Sequence, residues 1–177
     1  MIITISGKPG SGKSTVAKLI AKKLGLKHYS MGDLQRSIAK EMGITIKEMG
    51  RLEEQSGEID KQIEKMQTEL GEKEEDFIID SRLGYHFIPN SIKIFLDVNE
   101  WESVERIIGD KREEEKFVDD KSAKKDIIER ISSEKKRFKE YYNLDFENPD
   151  NYDLVVDTSD INAEVVADKI LKFIKNR

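Results

Sequence analysis

The 177-residue chain contains no cysteine, which excludes a disulfide framework, a thiolate metal site and a cysteine nucleophile. It also lacks any apolar run near the ~18 residues that a membrane-spanning helix needs. The opening residues, MIITI, have neither the basic region nor the cleavage site of a signal peptide. These absences predict a cytoplasmic protein with no membrane partner, and the missing thiols fit a reducing compartment.

A net positive charge is lacking as well, since 36 acidic residues outnumber 31 basic ones and give a formal charge of −5. Affinity for nucleic acids comes mainly from neutralising their phosphates, so we expect no nucleic-acid partner. The charged fraction of 38% mixes both signs, as is typical of solvated helix faces. The length favours one compact domain, and we expect a monomer.

Strands and helices alternate in the secondary structure that the sequence predicts. Short runs rich in β-branched residues predict strands at 2–6, 27–30, 77–79, 92–96 and 154–156. Helical spacing, capping residues and glycine stop signals predict helices at 13–24, 32–42, 59–70, 122–142 and 165–174. Two further helices should begin at 45 and at 99, and Gly71 should end the helix 59–70. The alternation predicts a three-layer α/β/α fold with a mostly five-stranded parallel sheet. Ligands of such sheets bind beyond the carboxyl ends of the strands.

A phosphate-binding motif follows the first predicted strand and opens the first predicted helix. The residues that match G-x-x-x-x-G-K-S/T are Gly7, Lys8, Pro9, Gly10, Ser11, Gly12, Lys13 and Ser14. Glycines let the backbone wrap around phosphates, and the following helix presents its positive end. We expect Lys13 to reach the β- and γ-phosphates, Ser14 to ligate Mg²⁺, and Thr15 to complete the nucleotide-binding segment. The motif alone is compatible with GTPases, motors, recombinases and small-molecule kinases.

The segment after the second predicted strand, HYSMGDLQR at 28–36, resembles nucleoside monophosphate kinases of the P-loop class. In that family a Gly-Asp or Gly-Glu turn precedes a helix whose arginine binds the phosphate of the acceptor. The resemblance implies that Asp33, in this turn, is a substrate-binding residue and that Arg36 binds the acceptor phosphate. A guanidinium suits the role because it can grip a phosphate with two parallel hydrogen bonds.

The segment after the third predicted strand resembles, within that family, the cytidylate kinases. DSRLG at 80–84 is similar to their D-G-R or x-G-R-L segment, and the following residues through 98 keep their pattern. The resemblance implies that Arg82 contacts the acceptor phosphate and that Asp80 lies near the waters of Mg²⁺ or the acceptor sugar. The chain departs at Ser81, where the family usually has glycine. It departs again at Leu83, where bacterial members carry an aspartate beside the base, whereas archaeal-type members are compatible with leucine.

Arg130 and Arg137 are seven residues apart and should share one face of the predicted helix 122–142. Their spacing is similar to the R-x6-R pair in the lid helix of cytidylate kinases. The resemblance implies that Arg130 serves phosphoryl transfer and that Arg137 reaches the acceptor. The charged segment at 109–120 is predicted to form a short lid, and a contribution of Arg106 and Arg112 to it is left open.

The resemblance covers nearly the whole chain and implies a single kinase domain at 1–177. The implied parts are a core at about 1–30, 76–108 and 121–177, an acceptor-binding helical region at about 31–75, and a lid at about 109–120. Selection of the acceptor base falls in residues 44–75, where Arg51, Asp60 and Gln67 are candidates. The loop 158–162 would flank the adenine of ATP.

The implied reaction is in-line transfer of the γ-phosphoryl group of ATP to CMP or dCMP. Mg²⁺ would be the cofactor, small nucleotides the partners, and Lys13, Arg130 and Arg137 the catalytic residues. Another acceptor, such as AMP, dTMP, shikimate or dephospho-coenzyme A, could use the same arginines. A P-loop NTPase that is not a kinase is disfavoured, because the sequence has no N-K-x-D motif and Asp80 is not followed by glutamate. Neither His28 nor His86 has a partner pattern for metal or triad chemistry.

Overall fold

The computed structural model describes residues 1–110 and 120–177. Five parallel strands form one sheet in the order β2-β3-β1-β4-β5, and this confirms the predicted α/β fold with its five-stranded sheet. The strands are β1 Ile2–Gly7, β2 Lys27–Ser30, β3 Phe77–Asp80, β4 Ile92–Asp97 and β5 Leu154–Asp157. The helices are α1 Lys13–Leu24, α2 Met31–Met42, α3 Ile46–Ser56, α4 Glu58–Lys73, α5 Gly84–Phe87, α6 Glu100–Gly109, α7 Asp120–Tyr142 and α8 Ala163–Lys175.

The sheet is buried on both faces, as its nearly continuous apolar strands require. In β3, Ile78 faces a core shared with α1 and α8, where Ile20 and Ile170 are fully buried. Phe77 and Ile79 face the opposite side, where α2 and α4 supply the apolar partners. Because successive side chains of a strand alternate between its faces, the single apolar run of β3 supplies both layers.

The helices α2, α3 and α4, which fall in the predicted acceptor region and are called the acceptor helices below, fill the connection between β2 and β3. Helix α3 packs against α7. The predicted capping box opens α3: the Thr45 hydroxyl accepts from the Glu48 N–H, and the Glu48 carboxylate accepts from the Thr45 N–H. Near the end of α7, the Tyr141 hydroxyl donates to the carbonyl oxygens of Glu53 and Glu54 at 3.2 and 3.1 Å. These contacts fasten the acceptor helices to α7.

Two details of the helices differ from the sequence prediction. The predicted stop at Gly71 is wrong, because α4 continues to Lys73. A Cβ at Gly71 would lie 3.0 Å from Cγ2 of Ile88, so the glycine serves the close approach of α4 to the segment after β3. The four-residue helix α5 was not predicted, because an element of one turn is too short to show a helical period.

The predicted lid at 109–120 lies largely outside the described residues, and Arg112 lies outside them too. The helix α6 ends at Gly109, and the description resumes at residue 120 with α7. Within the two described ranges, no helix combines the length and apolar character needed to cross a membrane.

Candidate active site

The phosphate loop connects β1 to α1 and presses against the rest of the fold. Gly10 has a φ of 70°, a backbone conformation that residues with a side chain rarely adopt. A Cβ there would lie 2.5 Å from the carbonyl oxygen of Ser103, so α6 packs directly on the loop. The N-cap residue Gly12 offers no side chain to the first N–H groups of α1, which leaves those groups available to an anion.

Lys13 is the buried cation of this loop. Only 8% of its surface is exposed, and its Nζ donates to the carbonyl oxygen of Lys8 at 2.7 Å. Burial, and after it the positive charge of Arg82, lower the pKa of Lys13 well below its ordinary value. A buried ammonium held by a carbonyl gains strongly from an anionic partner, which suits the expected contact with phosphate. The side chain of Lys8 pairs instead with Asp97 at the end of β4, with 2.6 Å between Nζ and Oδ1.

Asp80 ends β3 and collects polar side chains from the neighbouring elements. Its Oδ1 accepts from the hydroxyls of Ser14 at 2.8 Å and Ser30 at 3.1 Å, and Nε2 of His28 lies 2.7 Å from its Oδ2. The parallel register explains the meeting, since Asp80 pairs with Ile5 of β1 and with Ser30 of β2. Hydroxyl and carboxylate oxygens suit Mg²⁺, so Ser14 and Asp80 fit the predicted metal position.

Glu134 lies between two of the predicted arginines. Its Oε2 accepts from Nε of Arg82 at 2.9 Å, and its Oε1 accepts from Nε of Arg130 at 3.1 Å. Burial alone would raise the pKa of Glu134, but the two guanidinium groups outweigh it and hold the pKa at about 2. Arg82 also donates from Nη1 to the carbonyl oxygen of Gly7 at 3.2 Å. One carboxylate therefore gathers both arginines beside the phosphate loop.

Arg137 is buried among the acceptor helices, with 3% of its side chain exposed. Its Nη2 lies 3.0 Å from Oε2 of Glu53 on α3, and its Nε lies 2.6 Å from Oδ2 of Asp60 on α4. Gln35 of α2 donates to the other oxygen of Glu53 at 3.2 Å. Burial raises the pKa of Glu53 to about 7, although the charge of Arg137 opposes the shift. Arg130 and Arg137 therefore have separate carboxylate partners, Glu134 for the first and Glu53 with Asp60 for the second.

Arg36 and Asp33 form an ion pair with each other on α2. Ser30 caps this helix by accepting a hydrogen bond from the Asp33 N–H at 3.2 Å. Within the described ranges, Arg36 lines the central cavity and Asp33 does not. Arg36 is therefore within reach of an acceptor in the cavity, and Asp33 orients its guanidinium.

Arg106 ties the phosphate loop to the loop after β5. Its Nη1 donates to the carbonyl oxygen of Gly10 at 3.4 Å, and its Nη2 donates to the carbonyl oxygens of Thr158 and Ser159 at 2.8 and 3.1 Å. The hydroxyl of Thr158 donates in turn to the carbonyl oxygen of Ser11 at 3.2 Å. Arg106 thus braces the loop that was predicted to flank adenine, and it belongs to α6 rather than to the predicted lid segment.

A cavity of about 480 Å³ connects these groups, a size typical of small-molecule sites. It runs from the phosphate loop to the acceptor helices and α7. The predicted site residues that line it are Pro9, Gly10, Gly12, Lys13, Ser14, Thr15, Arg36, Asp80, Arg82, Arg130 and Arg137. The candidates for base selection, Arg51, Asp60 and Gln67, line it as well. Gly7, Lys8 and Ser11 are not among the lining residues of the described ranges.

Sequence reasoning missed three residues of this site: His28, Glu53 and Glu134. A signal for His28 was its spacing of two from Ser30, because such residues point to the same face of a strand. A signal for Glu134 was its place four residues after Arg130, the spacing of a helical ion pair. Glu53 gave no local signal, because its partner Arg137 lies far along the chain.

Phosphoryl transfer needs little covalent chemistry from a protein, and it depends on positioning and on neutralising charge. The cavity meets both needs, since its wall includes the phosphate loop together with arginines from α2, from α7 and from the segment after β3. Fold and site together define a phosphotransferase of the P-loop class.

Comparisons with known proteins narrow this class. The model of the cytidylate kinase-like family matches residues 2–160. The chain is 38% identical over 178 residues to the cytidylate kinase of Methanocaldococcus jannaschii, which covers 99% of this chain and 98% of that protein. It is 37% identical over 176 residues to the cytidylate kinase of Archaeoglobus fulgidus, with coverage of 99% and 95%. The chain belongs to the cytidylate kinase-like family.

A solved structure supports the same architecture. The shikimate kinase of Bacteroides thetaiotaomicron matches 99% of this chain and 98% of its own with a TM-score of 0.67. The sequence identity is only 17%, so the likeness concerns the fold alone.

Proposed function

We propose that the protein transfers the γ-phosphoryl group of ATP to a nucleoside monophosphate, CMP or dCMP, and releases ADP together with CDP or dCDP. The observation that carries the proposal is the single cavity leading from the phosphate loop to Arg36, Arg82 and Arg130. A donor phosphate on the loop and an acceptor phosphate on the arginines would face each other inside it. The cytidylate kinases among the relatives support the choice of acceptor.

Charge at the phosphate end of the cavity supports the roles of individual residues. Lys13, Arg82 and Arg130 outnumber the two carboxylates of Asp80 and Glu134 there. In-line transfer spreads negative charge over the migrating group, and fixed cations stabilise that charge. We assign Lys13 to the β- and γ-phosphates, Arg130 to the migrating group, and Arg82 to the acceptor phosphate. Because an acceptor phosphate oxygen is already anionic, the reaction needs no general base.

Two of the remaining arginines bind the acceptor in this proposal, and the third supports the nucleotide-binding loops. Arg36 would bind the acceptor phosphate from α2, with Asp33 holding its guanidinium in place. Arg137 would act from the base end of the cavity, where Glu53 and Asp60 fix its position. Arg106 would position the nucleotide-binding loops through its hydrogen bonds to their carbonyl oxygens.

Mg²⁺ is part of the proposal, held by the Ser14 hydroxyl and, through water, by Asp80. The 2.8 Å hydrogen bond between these two side chains beside the loop supports it. Among the residues that the structure describes, no group of three histidine, aspartate or glutamate side chains could hold a metal alone. Phosphate and water oxygens would therefore complete the coordination. When bound, Mg²⁺ would offset the negative charge of the phosphates.

The domain arrangement we propose is one kinase domain with its core at about 1–30, 76–108 and 121–177. The acceptor region would be 31–75 and the lid 109–120. The support is that α2, α3 and α4 line the end of the cavity opposite the phosphate loop. We further propose a cytoplasmic monomer that acts on small nucleotides and not on nucleic acid.

The test is ADP release from Mg–ATP with a panel of acceptors. The panel contains CMP, dCMP, UMP, AMP, GMP, dTMP, shikimate, dephospho-coenzyme A and a sample without acceptor. We expect turnover with CMP and dCMP that exceeds turnover with every other member. Turnover confined to another acceptor would retain the kinase and discard cytosine, and hydrolysis that ignores all acceptors would discard the kinase.

A further inference from the structure

The base end of the cavity holds two buried carboxylates against a single guanidinium. The exposed fractions are 3% for Glu53, 6% for Asp60 and 3% for Arg137, and all three residues line the cavity. With both carboxylates ionised the cluster carries one negative charge in excess. Buried charges are normally paired and fully hydrogen-bonded, so this excess calls for an explanation.

The missing hydrogen bonds concentrate on Asp60. Its Oδ2 lies 2.6 Å from Nε of Arg137 as an ion pair, and within the described ranges this buried oxygen has no partner with good hydrogen-bond geometry. Burial raises the pKa of Asp60, as expected for a carboxylate that is short of donors. Asp60 is therefore a buried acceptor on the cavity wall that a donor from a ligand would satisfy.

The neighbouring polar groups are already engaged within the protein. Gln67 accepts at Oε1 from the Ser81 hydroxyl at 2.5 Å and donates from Nε2 to the carbonyl oxygen of Ile63 at 3.2 Å. Glu53 is bound on both oxygens, by Gln35 and by Arg137. Glu64, one turn further along α4, also lines the cavity, and its carboxylate accepts from the Tyr142 hydroxyl. The buried apolar residues of the cavity wall include Met31, Met49 and Ile63. A flat apolar ring with one polar donor at its edge would fit these surroundings.

We propose that Asp60 accepts a hydrogen bond from the exocyclic amino group of the acceptor's base, and that Arg137 and Glu53 hold its carboxylate in position. The inference rests on the proposed function and names the residue that selects the base. Cytosine presents an N4 amino group, which donates to a carboxylate. Uracil presents a carbonyl oxygen at the same place, so two acceptors would face each other without a proton between them.

A purely structural role for the cluster is the competing explanation, since it joins α3, α4 and α7. In that case a change at Asp60 would lower turnover of all acceptors alike. If Asp60 reads the amino group, the ratio between acceptors must change. The measurement is therefore the ratio of kcat/KM values, which a general loss of packing does not move.

The first experiment uses the unaltered protein with Mg–ATP and three acceptors: CMP, UMP and the 2-pyrimidinone nucleotide that lacks only the 4-amino group of CMP. We expect kcat/KM to be about 10- to 150-fold lower for the analogue than for CMP, the range for a hydrogen bond to a charged group. UMP should be poorer still. Equal turnover of CMP and the analogue would overturn the inference while leaving the proposed kinase intact. Absence of turnover with every nucleoside monophosphate would overturn both.

The second experiment uses Asp60→Asn, with Glu58→Gln as a matched control. Glu58 lies on the same helix, is exposed and is absent from the cavity wall of the described residues. In the Asp60 variant, the preference for CMP over UMP should fall at least about tenfold, because an amide can donate to a carbonyl oxygen. The control should keep the original ratio. An unchanged ratio in the Asp60 variant would overturn the inference, and the first experiment decides the matter if that variant does not fold.

Discussion

Replacing Glu134 with glutamine tests whether this carboxylate holds the two arginines beside the phosphate loop. The change keeps the shape of the side chain and removes its charge. Arg82 and Arg130 would then face each other, and the buried Lys13, without the anion that joins them. We expect the variant to lose far more unfolding free energy than the loss of a surface ion pair would cause.

The pKa of Glu134 supplies the magnitude. A fall from the ordinary 4.5 to about 2 corresponds to roughly 3 kcal/mol of unfolding free energy, at about 1.4 kcal/mol for each unit. For a chain of 177 residues this predicts a Tm lower by roughly 6–12 °C. Since the folded pKa is depressed, the stabilisation is present above about pH 4.5 and is lost as the pH falls through about 2.

The assay is thermal and urea unfolding of the variant and the original chain at pH 7. Glu140→Gln is the matched control, because its 3.9 Å contact with Lys136 joins two largely exposed side chains on the same helix. The control should change the unfolding free energy by less than about 0.5 kcal/mol. Saturating inorganic phosphate should narrow the gap for Glu134→Gln, since an anion could replace the lost charge. A variant that melts within about 2 °C of the original chain would refute the reasoning.

Three further predictions concern turnover and pH. Lys13→Ala should lower kcat by about 100-fold or more with an unchanged circular dichroism spectrum, because it removes the buried cation of the phosphate loop; unchanged ADP release would contradict the assignment. Asp80→Asn should raise the Mg²⁺ concentration needed for half-maximal ADP release, and an identical Mg²⁺ titration would count against a metal at Ser14. Glu53→Gln should flatten the pH dependence of stability, measured by urea unfolding between pH 4.5 and 7. The raised pKa of about 7 means that Glu53 stabilises the fold fully below about 4.5 and loses this contribution as the pH rises, so an unaltered slope would contradict the effect of burial.

The phosphate loop and the five strands could be predicted because their signals are local. Glycines at fixed spacing between a β-branched strand and an amphipathic helix carry the geometry of the loop within eight residues. Apolar runs of β3 and β4 likewise reflect burial on both faces, which any parallel sheet imposes. The order of the strands was not predictable in this way, because it depends on which distant strands pair.

The charged network of the site could be predicted only in part, and for the same reason. The arginines were visible through their spacing and resemblance, but their partners were not. Glu53 and Asp60 meet Arg137 only after α3 and α4 pack against α7. Gly71 misled the prediction because a glycine in a helix can mark either the end of the helix or the close approach of a neighbouring group, which here is the side chain of Ile88.

The spacing of Arg130 and Arg137 on α7 also fixes the distance between them along the helix. Seven residues of α-helix rise about 10.5 Å, so the helix keeps the anchor points of Arg130 and Arg137 about that far apart. Arg130 lies toward the phosphate loop, where it shares Glu134 with Arg82. Arg137 lies toward the acceptor helices, where it pairs with Glu53. In the proposed function, a nucleoside monophosphate, with a phosphate at one end and a base at the other, would be long enough to reach both arginines, whereas a bare phosphate would reach only one. The spacing would then select acceptors by length as well as by the polar groups they carry.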